Sequence, residues 1–182
     1  MPKESQFVAV AQGVARQVLG RNLVVERGAA LLYQVTVDNR LELTVDVRAP
    51  KRGQSAFQTD LCVFETRGDT SIPRVVLEFK TRITTHDILT YSAKARKHKQ
   101  VYPYLRYGLV ASAERAVPGR VFTHNEALDF CIALGGVPRS RIPGILERLL
   151  RAEVRTSRRL ESIAFGEGRV AQFRTEVIVR RA

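Results

Sequence analysis

The sequence predicts a mixed α/β domain: a central mixed sheet of about four to five strands flanked by helices. Three observations lead there. Apolar residues recur at helical spacing over residues 5–19 and 142–160, and a capping-box pair opens a further helix at 85–102. Between these lie short runs rich in β-branched and aromatic residues, at 57–64, 74–80 and 107–111. A chain of 182 residues, 45% hydrophobic and 26% charged, is also long and apolar enough to build a core.

Each element has its own signal. Phe7, Val8, Ala11, Val14, Ala15 and Val18 mark one face of the N-terminal helix, and Gly20 is placed to stop it. Residues 29–37 and 41–47 read as strands joined by Asp38-Asn39-Arg40. The second alternates Leu41, Leu43, Val45 and Val47 with polar residues, which implies one buried face and one wet face. A basic loop over 49–55 leads to strands 57–64 and 74–80, separated by the turn Arg67-Gly68-Asp69-Thr70. Thr84 and Asp87 cap the helix 85–102, which Pro103 ends. Residues 107–111 read as a buried strand, 120–123 as a short strand after Pro118-Gly119, and 126–134 as a helix stopped by Gly135-Gly136. Ile142, Leu146, Leu149, Leu150 and Val154 line one face of an arginine-rich amphipathic helix, and 170–179 read as a returning edge strand. One domain over residues 1–182 is the economical reading, with its core at 5–135 and the basic helix and strand of 140–182 appended.

Thirty Lys and Arg against 18 Asp and Glu leave a formal net charge of +12, and 24 of the 30 are arginine, whose planar fork suits phosphate. An anionic partner is expected. No apolar run approaches the roughly 18 residues of a membrane span, and the opening Met-Pro-Lys-Glu-Ser-Gln lacks signal-peptide order, so no membrane association and a cytoplasmic location are expected. Cys62 and Cys131 lie in apolar runs without ligand-spaced neighbours, which excludes structural zinc and iron–sulfur clusters. His86, His98 and His124 are scattered and read as structural or solvated.

The chemistry concentrates in two strands. Residues 74–80 form an apolar run that ends on Glu78 and Lys80, two positions apart and so on one face, with Leu77 and Phe79 on the other. Asp60 is embedded in an equally apolar run. If the two strands pair as a hairpin, Asp60 and Glu78 lie close together, offering hard oxygen ligands for Mg²⁺ or Mn²⁺, with a lysine beside them to serve a water and offset phosphate charge. The competing reading pairs Asp60 with Lys80 and leaves Glu78 in solvent. Lys94, Arg96, Lys97, His98 and Lys99 present a basic helix surface, interleaved with Tyr91, Tyr102, Tyr104 and Tyr107, which suits phosphate neutralisation. Lys51 and Arg52 in the preceding loop are placed to do the same.

Asp60, 17 intervening residues and then Glu78-Phe79-Lys80 resemble the motif of the PD-(D/E)xK nuclease superfamily, and the order helix, acid strand, E-x-K strand, helix, strand over about residues 5–135 is similar as well. Thr59 stands where the motif name has proline. The resemblance implies a restriction-endonuclease-like core and a metal-dependent DNA nuclease. In it Asp60, Glu78 and the carbonyl of Phe79 hold Mg²⁺, with Mn²⁺ able to substitute, and Lys80 serves the attacking water. It also implies a further acid near the N-terminal helix, for which Glu4 and Glu26 are the candidates. Gln100 and Tyr104 are similar to the Q-x-x-x-Y signature of RecB-like members, although Pro103 interrupts the helix between them. A duplex cutter uses two sites, which makes a homodimer a natural arrangement. The alternatives are a non-catalytic nucleic-acid-binding module of the same fold, or a basic RNA-associated protein.

Overall fold

The computed structural model describes residues 4–166, 168–173 and 175–179. Among the described residues seven strands are formed: β1 (Leu23–Arg27), β2 (Ala30–Leu32), β3 (Ala56–Gln58), β4 (Leu61–Arg67), β5 (Thr70–Lys80), β6 (Arg106–Ala111) and β7 (Phe130–Ala133). Five of them make a central mixed sheet in the order β1-β4-β5-β6-β7. β4 lies antiparallel to β1 and β5, while β5, β6 and β7 run parallel. β2 and β3 form a separate antiparallel pair. Among the described residues no helix is long and apolar enough to cross a membrane.

Helices cover both faces of this sheet, which is why its central strands read as continuous apolar runs. Val75, Leu77 and Phe79 of β5 pack with Phe7 and Ala15 of α1 (Glu4–Val18) and with Leu146, Leu150 and Val154 of α4 (Ile142–Phe165). Val76, between them, faces the opposite layer with Leu109, Tyr107, and Ile88 and Ala95 of α2 (Thr85–Val101), joined there by Val121 of α3 (Gly119–His124). The capping box at the start of α2 forms as expected: Asp87 N–H donates to the Thr84 hydroxyl, and the Asp87 carboxylate accepts the Thr84 N–H at 2.8 Å. The α4 helix is thus part of the core layer rather than an appendage to it.

Several elements differ from expectation. β1 forms from Leu23-Val24-Val25, a short run that the alternation on either side overshadows. The strand expected at 29–37 is confined to β2. The segment 41–47 makes a single bridge, Val37 to Leu43, and Leu41, Leu43 and Val47 stay in solvent, Leu41 at 82% exposure. Asp38 closes that hairpin locally by accepting the N–H groups of Arg40 and Glu42, so turn chemistry forms the bend without a facing layer to bury it. Residues 120–123 are helical and 126–134 hold a strand, the reverse of what their propensities suggest. β7 is drawn into the sheet by parallel pairing with β6, and Gly108 makes room for it, since a Cβ there would lie 2.3 Å from the Phe130 ring. The described residues of 170–179 form no strand, and Phe173 and Ile178 are exposed.

β4 and β5 carry a bulge, with Val63 opposite Val75 and Phe64 opposite Pro73, so Arg74 is the extra residue. Its side chain is fully buried beneath α4. The guanidinium donates to Glu65 through Nε at 2.7 Å and to Glu161 of α4 through Nη2 at 2.7 Å, and it lies 5.3 Å from the centre of the Tyr104 ring. Arg158 reaches the other oxygen of Glu65 at 2.8 Å. Burial pushes the Glu65 carboxyl up, but hydrogen bonds from Arg158 and Arg74 outweigh it and hold the group below its ordinary value. Removing one member of a buried ion pair is costly because the remaining charge is stranded. Glu65→Ala is expected to cost about 3 kcal/mol in urea unfolding, and Glu65→Leu combined with Arg74→Met to recover most of that. A double variant no more stable than Glu65→Ala would contradict this account.

Candidate active site

The expected strand 57–64 is interrupted at Thr59 and Asp60, which separate β3 from β4. Thr59 is buried, and both its N–H and its hydroxyl donate to the carbonyl of Ala29, at 2.9 and 3.0 Å. A proline at this position could not supply that N–H. Asp60 follows one residue before the ladder begins at Leu61 opposite Leu77, which brings it against Glu78.

Each acid accepts a backbone N–H from the opposite strand. Phe79 N–H donates to Asp60 Oδ2 at 2.8 Å, and Asp60 N–H donates to Glu78 Oε2 at 3.4 Å. The hydroxyl of Tyr107, on the neighbouring β6, donates to Glu78 Oε1 at 2.5 Å. Glu78 is only 2% exposed, so the reading that sends it to solvent does not hold. Burial, followed by the charge of Asp60, raises the Glu78 carboxyl to about 8. Lys80 lies two residues along β5 on the face of the sheet that carries α2, with its ammonium 5.4 Å from the centre of the Tyr91 ring. Lys94 of α2 also lowers the Glu78 value by its charge.

A cleft of about 910 Å³ opens beside this pair, with Asp60 and Thr59 at one side and Arg27, Arg52, Phe57 and Lys94 among its other walls. Arg52 donates to the Gln58 side chain at 3.1 Å, while Lys51 is exposed on the loop before it. Lys97 stands over Tyr33 at 5.6 Å. The remaining predicted contacts lie elsewhere. Lys99 is engaged by Asp129 at 2.8 Å and by the carbonyl of Ala127 at 2.6 Å. Gln100 is exposed in the last turn of α2. Tyr104 rests on Arg74, four residues and so about 13 Å of strand before Glu78. Pro103 and the turn that follows α2 carry Tyr104 away, so the Q-x-x-x-Y pair does not converge on the acids.

Of the interleaved tyrosines only Tyr91 serves this surface. Tyr107 is buried in the core, where it holds Glu78. His98, expected on the basic surface, is fully buried. Its Nδ1 donates to the carbonyl of Leu32 at 2.8 Å, and burial pushes the imidazole down to about 4, so it is neutral at physiological pH. Of the candidate further acids, Glu26 is exposed on β1 opposite Cys62, and the side chain of Glu4 lies outside what is described. Sequence reasoning missed Tyr33 and Phe57, which form a stacked pair at 4.1 Å on the cleft wall. Their only sequence signal was an aromatic at either end of the loop 34–56.

Among the described residues no group of three or more His, Cys, Asp and Glu side chains could hold a metal ion. What is present is two adjacent carboxyls and the Phe79 carbonyl. That hard, incomplete oxygen set fits a cation such as Mg²⁺, which keeps several waters, better than one needing an all-protein cage. The crowding of Glu78 by Asp60 is likewise what a nearby divalent cation relieves. Compared with family models and with curated proteins, the chain matches none.

The raised Glu78 value makes a prediction about stability. An unfolded glutamate titrates near about 4.3. The folded state therefore holds this proton more tightly, and the penalty of ionising it is absent below about 4, grows as pH rises, and is complete above about 8. Glu78→Gln removes the penalty while keeping an acceptor for Tyr107. In EDTA, the Tm of Glu78→Gln relative to wild type is expected to rise between pH 5 and pH 9, by roughly 5 °C or more. A difference independent of pH would contradict the assignment.

Proposed function

We propose that the chain is a metal-dependent nuclease of restriction-endonuclease-like architecture that hydrolyses phosphodiester bonds in DNA. The observation that carries this is the convergence of Asp60, Glu78 and Lys80 at one end of β4 and β5, beside a cleft walled by Arg27, Arg52 and Lys94. The order of elements supports it too: α1, an acid at the head of β4, the E-x-K at the end of β5, then α2 and the parallel strand β6.

Asp60, Glu78 and the Phe79 carbonyl are the residues that would hold Mg²⁺ or Mn²⁺. When bound, such an ion polarises a phosphate and acidifies a water. The chain's own groups supply the rest. Tyr107 fixes one oxygen of Glu78, and the Phe79 N–H fixes one of Asp60, so both carboxyls are oriented before substrate arrives. Lys80, on the same face as Glu78, is placed to orient the attacking water and to offset charge developing on the phosphate. The cleft arginines and Lys94 bind the phosphate backbone without reading sequence.

The test is cleavage of supercoiled plasmid, single-stranded DNA and RNA by the purified protein in Mg²⁺, Mn²⁺ or EDTA. DNA cleavage is expected with either metal and not in EDTA, and Asp60→Ala and Lys80→Ala are each expected to reduce it by at least about 100-fold. Cleavage in EDTA, cleavage unaffected by both substitutions, or no cleavage with either metal would overturn the proposal.

A further inference from the structure

We infer that the cleft wall formed by Tyr33, Phe57 and Lys94, flanked on α2 by Tyr91 and Lys97, is a stacking platform for unpaired nucleobases, so that the strand reaching the acidic pair is single-stranded or frayed. The identification of that strand as the one cut rests on the nuclease reading above, whereas the platform itself does not.

Tyr33 and Phe57 are large aromatic side chains left half-buried where a core would enclose them, and both line the cleft that Asp60 borders. They stack on one another with centroids 4.1 Å apart and planes 20° from parallel. His98 meets the Phe57 ring edge-on at 5.8 Å and, with its Nδ1 fixed by Leu32, braces that ring from the core side. Tyr91, Lys94 and Lys97 follow at three-residue spacing on α2 and so lie along one stripe of the helix. The ammonium of Lys94 stands 5.7 Å from the Phe57 centroid and 5.0 Å from that of Tyr91, and Lys97 stands 5.6 Å from Tyr33. Rings and cations therefore alternate from the cleft that Asp60 borders onto the adjoining stripe of α2.

That composition selects its occupant. An aromatic face stacks on a base of any identity, and an adjacent lysine neutralises its phosphate, which is how single strands are held without sequence preference. In a duplex the faces of each base are already covered by its neighbours, so these rings gain nothing from it unless the end frays. Two polar groups of the wall are already engaged: the Gln58 side-chain oxygen accepts from Arg52, and the Thr59 hydroxyl donates to Ala29. The volume, about 910 Å³, suits a small number of nucleotides.

The experiment is fluorescence anisotropy in EDTA with a labelled oligo(dT), an oligo(U) of the same length and a mixed-sequence duplex. Wild type is expected to bind one or both single strands at least about tenfold more tightly than the duplex, and the order of the two single strands identifies DNA or RNA as the source. Tyr33→Leu and Phe57→Leu, which keep apolar volume but remove the ring, are each expected to weaken single-strand binding about tenfold with far-UV circular dichroism unchanged, and Tyr33→Phe to retain it. Equal or tighter duplex binding, or leucine variants that bind like wild type, would overturn the inference. Because no metal is present, the titration reads binding whether or not the acids cut. Binding without Mg²⁺-dependent cleavage refutes the nuclease reading alone, and cleavage without single-strand preference refutes this one alone.

Discussion

The register between β4 and β5 is the constraint on which everything at the candidate site depends. With Leu61 opposite Leu77, Asp60 falls against Glu78, and a slip of one residue would turn one of the two acids toward the other face of the sheet. The bulge at Arg74 sets the phase that makes this pairing compatible with the far end of the hairpin. Upstream of it Glu65 pairs with Ile72, and downstream Val75, Leu77 and Phe79 face α1 and α4 while Val76 faces α2. The extra residue is a buried arginine whose partners come from both β4 and α4. The ion cluster of Glu65, Arg74, Arg158 and Glu161 thereby clamps the bulge to the helix above it.

The same strand that carries the core also carries the least comfortable group in it. Glu78 is nearly inaccessible and adjacent to a second carboxyl, an arrangement that costs stability unless a proton or a cation resolves it. The surroundings only partly offset that cost. Tyr107 donates a short hydrogen bond and Asp60 N–H a long one, while Lys94 contributes charge from α2. A fold selected for stability alone would place an apolar residue there, since a buried carboxyl with a strongly shifted titration and an acidic neighbour is characteristic of a functional position.

What the sequence made legible follows from what was local. The placement of Glu78 and Lys80 on one face needs only the two-residue period of a strand, and the start of α2 needs only the Thr84 and Asp87 pair; both signals lie within a few residues. The hairpin that joins Asp60 to Glu78 was inferable because a turn separates two apolar runs. Other features depended on partners distant in sequence. β7 forms because it pairs with β6, α3 forms despite the β-prone Val121-Phe122-Thr123, and Leu41, Leu43 and Val47 stay exposed although they alternate perfectly. Lys99 looked like any other exposed cation on α2 until Asp129, thirty positions later in the chain, claimed it. Tyr33 and Phe57 were invisible as a pair because the loop that separates them folds back through the β2 and β3 ladder, with Leu31 opposite Phe57.

The proposed cation site joins Asp60 and Glu78 through the strand register. Isothermal titration of Mn²⁺ into the metal-free protein near neutral pH tests it most directly, beside Asp60→Asn and Glu78→Gln. The account predicts one Mn²⁺ per chain in the wild type and loss of that binding in each variant, with the fold of both variants intact by circular dichroism. No saturable binding in the wild type, or binding that survives either substitution unchanged, would contradict it.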